Sequence, residues 1–99
     1  MAIFDVTVLG AGIFGLSVAY ACARRGAKVQ VLEAQHIGAG ASGGLVGALA
    51  PHTPDLWNEK KQFQFDSLIM AQDWWQGIAG LSRVEPGYAR SGRLQPLPD

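Results

Sequence analysis

The stretch GAGIFG sets glycines at positions 10, 12 and 15, between one apolar run and the next. Glycine weakens regular structure, so it belongs where the chain turns sharply or where something approaches the backbone. The preceding run, Ile3 to Leu9, is short, β-branched and apolar, and reads as a strand. Residues 13–25 carry Leu16, Ala19, Tyr20 and Ala23 at helical spacing. Arg24 and Arg25 suit the negative end of that helix's dipole, and Gly26 suits a left-handed cap beyond it. Val29, Val31 and Glu33 then alternate as a second strand. Strand, helix and strand within about 30 residues predict a right-handed βαβ unit.

A membrane segment is the rival reading, because the eighteen residues from Val6 to Ala23 carry no charge. That only reaches the lower length limit for a span. The glycines break the run into an extended half and a helical half. The opening MAIFD also lacks the basic region of a signal peptide. No membrane span is therefore expected, and a cytoplasmic location is the default.

Within the βαβ unit each glycine gains a task. Gly10 allows the turn out of the strand, Gly12 lets a pyrophosphate reach the backbone, and Gly15 lets the helix pack closely on the strand. The helix N-terminus offers unpaired N–H groups and partial positive charge, which suit a diphosphate. Glu33 follows Gly10 by 23 residues and can accept hydrogen bonds from both hydroxyls of an adenosine ribose. Its charge would repel a 2′-phosphate, which argues against NADP. The bland alternative is a βαβ unit that holds no ligand.

Eight basic and eight acidic residues balance, so no nucleic-acid partner is expected; phosphate-tracking surfaces need an excess of Lys and Arg. The single cysteine, Cys22, excludes a disulfide framework and a cysteine-based zinc site. No metal site, P-loop, serine-hydrolase elbow or internal repeat is visible.

A second glycine cluster lies in HIGAGASGGLVGALAPH, from His36 to His52. A simple NAD-binding domain would continue here with a helix and a third strand. Instead, Ala41, Ser42 and Gly43 offer a hydroxyl and backbone amides that can hold a second face of a diphosphate or start a short helix. Leu45 to Ala50 is apolar and small, suited to lie against a flat ring, and Pro51 stops it. A flexible linker is the alternative, although Leu45, Val46 and Leu49 are unusual in one.

These residues together, Glu33 after the βαβ unit, then GAGASGG, then GALAPH, resemble the D-amino-acid oxidase (DAO) family of FAD-dependent oxidoreductases, with glycine oxidase-like and sarcosine oxidase-like members nearest. The resemblance implies FAD as cofactor and an amine or amino acid as small-molecule substrate, oxidised by hydride transfer to flavin N5. By position it implies cofactor contacts from Gly10, Gly12, Ile13, Phe14 and Gly15, from Glu33 with Ala34, from Ala41 and Ser42, and from Gly47, Ala48 and Leu49. Family members often place Arg or Asn soon after the serine, where this chain has Gly43, Gly44 and Leu45. Two other readings stand beside it: a non-catalytic dinucleotide-binding or interaction module, and a piece of an NAD-dependent dehydrogenase.

Leu56 to about Leu81 reads as one helix, with a break expected near Gly77–Gly80. Leu68, Ala71, Trp75 and Ile78 form a stripe, while Phe65, Ile69 and Trp74 widen it, so the helix expects cover from more than 99 residues provide. The tryptophans read as packing residues. Tyr88 to Asp99 reads as a strand turning at Ser91-Gly92. Arg90 and Arg93 are carboxylate-facing candidates, though surface arginines are the simpler reading. His52 likewise reads first as structural.

The expected fold class is α/β: an incomplete Rossmann-like βαβ unit, a Gly-rich loop, a long helix and the start of a further strand. Residues 1–50 are read as the first part of an FAD-binding domain, and 51–99 as a helix and strand leading toward a substrate domain. Members of the resembled family are several times longer. The chain is therefore read as a fragment that lacks a complete active site, and no catalytic residue is assigned. Its uncovered sheet faces predict instability, self-association or support from other chains.

Overall fold

The computed structural model describes residues 3–45 and 47–96. Val46 and Leu97–Asp99, which the expected ring-facing segment and terminal strand include, lie outside them. The chain divides into two compact units, Met1–Gly47 and Ala48–Asp99.

The first unit is the expected βαβ arrangement: β1 (Val6–Leu9), α1 (Ile13–Arg24) and β2 (Val29–Leu32). The strands pair in parallel, with Val6 opposite Val29 and Leu9 opposite Leu32. β1 begins three residues later than the apolar run suggests. Pairing at this end closes at Asp5, whose N–H donates to the Lys28 carbonyl at 2.8 Å while its carboxylate accepts from the Lys28 N–H at 2.8 Å. Ile3 and Phe4 precede that clamp and have no ladder to join.

α1 ends as the sequence suggests. Gly26 has φ +89°, its N–H donates to Ala23 O, and the Ala27 N–H donates to Cys22 O. This pair of bonds is the Schellman arrangement. Arg25 adds a side-chain bond to the Ala21 carbonyl at 3.2 Å, among the carbonyls at the negative helix end.

A two-stranded sheet with one helix covers little. Ala11 and Ala19 alone are buried among the described residues, while Leu9 is 80% and Phe14 87% exposed. Parallel sheets are normally covered on both faces. Beyond β2, Ala41–Gly43 forms one short 3-10 turn, the helix-start alternative for that segment.

In the second unit, α2 (Glu59–Ser82) runs unbroken through Gly77 and Gly80, where a break was expected. Each isolated glycine costs about 1 kcal/mol relative to alanine, which a 24-residue helix absorbs. The helix starts later than Leu56, which has φ +50°. Asn58 caps it, its side-chain oxygen accepting from the Lys61 N–H at 2.9 Å. Trp57 packs edge-on against Phe65, with ring centroids 6.0 Å apart, and its Nε1 donates to Gln62. No residue of α2 is fully buried.

The strand expected from Tyr88 is not formed over the described residues to Pro96. A strand exists only through a ladder, and β1–β2 is the one sheet among the described residues. Arg90 instead donates to Tyr88 Oη and Ile69 O, and Arg93 to Pro51 O and Gln95 Oε1.

Candidate functional site

β1 delivers the chain to Gly10, whose φ of +103° is a turn that side chains disfavour. The Gly10 N–H donates to Leu32 O at 2.8 Å, extending the parallel ladder to the edge of the turn. Gly12 then caps α1 with extended backbone and no side chain. A Cβ on Gly15 would collide with the Gly10 carbonyl oxygen and stand 3.3 Å from Val8 Cγ1. Close packing of helix on strand therefore requires glycine at position 15.

Ile13 and Phe14 open α1 and are exposed. A helix leaves its first N–H groups without intrahelical partners. Here the Ile13 N–H donates to Ser42 Oγ at 2.8 Å and the Leu16 N–H to Gly12 O at 3.0 Å. The N–H groups of Phe14 and Gly15 are left with no protein acceptor among the described residues. They are donors for an anion at the positive end of the helix.

Glu33 is the first residue past β2. Its Oε1 accepts from the Ala11 N–H at 2.9 Å and its Oε2 from the Gln35 N–H at 3.0 Å. The Ala11 bond, then the Gln35 bond, hold the carboxyl below its ordinary value, with a smaller pull from His36. Each oxygen of a carboxylate has two lone pairs, so each keeps one for a further donor. Glu33 and Ala34 line an open cleft of roughly 460 Å³ with Leu9, Gly10 and Leu32.

Ten of the expected cofactor-contact residues, Gly10, Gly12, Ile13, Phe14, Gly15, Glu33, Ala34, Ala41, Ser42 and Gly47, thus lie in the first unit. Gly47 ends that unit in irregular backbone; Ala48 and Leu49 begin the second.

Ala11, which sequence reasoning did not single out, and two glycines of the second cluster, Gly38 and Gly43, hold the turn. Ala11 is 2% exposed, and its carbonyl accepts from the Gly38 N–H at 3.0 Å. Gly38 has φ +73°. A Cβ on Gly43 would collide with the Gly38 carbonyl oxygen. The signal was present in the spacing of Gly38 and Gly43, but a Gly-rich segment does not announce which glycines are packed.

The second unit holds a separate cleft of about 350 Å³ between α2 and the segment after it, with Trp75, Glu85, Tyr88 and Arg90 in its wall. Among the described residues no helix is long and apolar enough to cross a membrane. No cluster of His, Cys, Asp and Glu among them could hold a metal ion.

Comparison with known proteins agrees with the geometry. The family model described as "DAO: FAD dependent oxidoreductase" matches residues 5–99. The chain is 36% identical to the tRNA 5-methylaminomethyl-2-thiouridine biosynthesis bifunctional protein MnmC of Chromohalobacter salexigens, over 91% of this chain and 14% of that protein. It is 30% identical to the bifunctional protein ThiO/ThiG of Trichormus variabilis, over 94% of this chain and 14% of that protein. It therefore spans about one-seventh of the length of these relatives. No solved structure matches. The glycine turn, the acid after the second strand and this match across nearly the whole chain lead to one conclusion: the chain belongs to the DAO family of FAD-dependent oxidoreductases.

Proposed function

We propose that the chain is the FAD-binding portion of an oxidoreductase that oxidises an amine or amino acid. One observation carries the cofactor assignment: two open N–H donors of α1 and the spare lone pairs of Glu33 border the same glycine turn. The residues fit the group. Phe14 and Gly15 would donate to the diphosphate, and Ala41 and Ser42 would hold its second face. Glu33, with Ala34 beside it, would accept from the ribose hydroxyls. The walls of Leu9 and Leu32 suit an apolar ring face. Gly47, Ala48 and Leu49 would run beside the isoalloxazine, being small enough to lie flat against it.

When bound, FAD supplies a hydride acceptor at flavin N5. The chain's own part is to bind, orient and exclude. The ionised Glu33 selects for a free 2′-hydroxyl and against a 2′-phosphate. The amine class is supported by the methylaminomethyl group in the name of the MnmC relative. Residues 1–50 would serve the cofactor and 51–99 would lead toward a substrate domain.

Calorimetric titration of the chain with FAD, ADP and NADP tests the cofactor assignment. FAD and ADP are expected to bind and NADP to bind at least about tenfold more weakly, the cost of setting like charges together. Binding of none of them sinks it. For the full enzyme, anaerobic bleaching of the flavin by an amine or amino acid tests the substrate class; no bleaching by either overturns it.

A further inference from the structure

We infer that Glu33 is a positioning residue, whose carboxylate holds the glycine turn in place apart from any contact it makes with a ribose. The inference rests on the dinucleotide reading above. It begins from Ala11, the most enclosed of the described residues, set between Gly10 and Gly12. Both polar groups of Ala11 are taken by segments distant in sequence. Its N–H donates to Glu33 Oε1 at 2.9 Å, and its carbonyl accepts from the Gly38 N–H at 3.0 Å.

Glu33 is itself held. Its second oxygen accepts from the Gln35 N–H at 3.0 Å, so the carboxylate bridges two backbone amides. The carboxylate does this with one oxygen for each amide. A glutamine has one acceptor oxygen and an NH₂, so one of the two backbone donors would then face another donor. The other ties of the turn are backbone bonds, Gly10 N–H to Leu32 O and Gly38 N–H to Ala11 O, and Glu33 supplies the side-chain acceptor for the Ala11 N–H. Gly10 and Gly12 have no side chains to restrict rotation, and Ser42 holds only the following residue, Ile13. With the Ala11 N–H released, a diphosphate would have to order the turn as it binds, and affinity would fall.

The probe that separates this role from ribose contact is inorganic pyrophosphate, which has no ribose. The full chain and its Glu33→Gln variant are titrated with pyrophosphate and with ADP. Hydrogen exchange of the Ala11 amide is followed without ligand. Both ligands are expected to weaken about tenfold in the variant, the scale of one charge-assisted hydrogen bond. Ala11 protection should fall by a similar factor. Unchanged pyrophosphate affinity beside weakened ADP affinity overturns the inference and leaves the dinucleotide reading intact. If the parent chain binds neither ligand, that reading falls and the inference with it. If Glu33→Gln does not fold by circular dichroism, the parent chain decides: an Ala11 amide exchanging like an open loop overturns the proposal, and a protected one supports it.

Discussion

The Ser42 hydroxyl fills the space that a side chain on Gly12 would need. A Cβ on Gly12 would lie 2.9 Å from Ser42 Oγ, which itself accepts from the Ile13 N–H at 2.8 Å. The second glycine of the turn thus makes room for an internal cap as well as for an approaching ligand. Ser42 does the work of an N-cap side chain from another segment, since Gly12 has none to offer.

Gly12→Ala should therefore displace Ser42 and lose its cap. Ser42→Ala alone is expected to cost about 1 kcal/mol, the usual worth of such a cap. The two changes should not add, because the alanine in Gly12→Ala has already evicted the hydroxyl that Ser42→Ala removes. A double-mutant cycle by urea denaturation measures this. Strict additivity would show that the two residues are not coupled.

Gly15→Ala should be worse than Gly12→Ala. Its obstacle is the Gly10 carbonyl oxygen, fixed backbone rather than the end of a rotatable side chain. Helix and strand must part to admit the methyl, at about 3 kcal/mol. So small a core gives little reserve. The expected result is loss of the cooperative denaturation transition at room temperature. A midpoint close to the parent's would contradict the packing.

The ends of α2 allow a pair of opposite predictions. Asn58→Ala removes the oxygen that accepts from the Lys61 N–H and should cost about 1 kcal/mol. Arg83 holds the left-handed position at φ +58° past the helix, where its N–H donates to Ala79 O. Left-handed backbone costs a side chain about 1 kcal/mol, so Arg83→Gly should stabilise the second unit by a little less than that. Thermal melts followed at the helical band of circular dichroism check both signs.

The βαβ unit was legible because its signals are local. Glycine spacing, a β-branched run, helical periodicity and a Gly cap all fall within thirty-odd residues, and each names the same element. Glu33 was legible for the same reason. Ala11 was not, because its importance comes from Glu33 and Gly38, residues 22 and 27 positions away. The ends of α2 were misjudged for a related reason. Gly77 and Gly80 look like stops, whereas the true end is an arginine in a conformation that favours glycine. The strand expected from Tyr88 failed because a strand requires a partner, and no partner stands opposite it among the described residues.

The Glu33 clamp also predicts how stability follows pH. The Ala11 and Gln35 bonds favour the ionised carboxylate and hold its folded-state value below the ordinary 4.5. The unfolded chain therefore binds the proton more readily than the folded one, and stability rises with pH across that interval. The contribution is fully present above the unfolded value and is lost as pH falls through the lowered folded value. Glu33→Gln lacks a titrating group at this position, so its curve should miss this part of the acid slope. The gap between parent and variant should be constant near neutral pH and shrink below about pH 4.5. Urea denaturation from pH 3 to pH 7 measures it, and a gap that does not change with pH would mean that the carboxylate is not held by the turn.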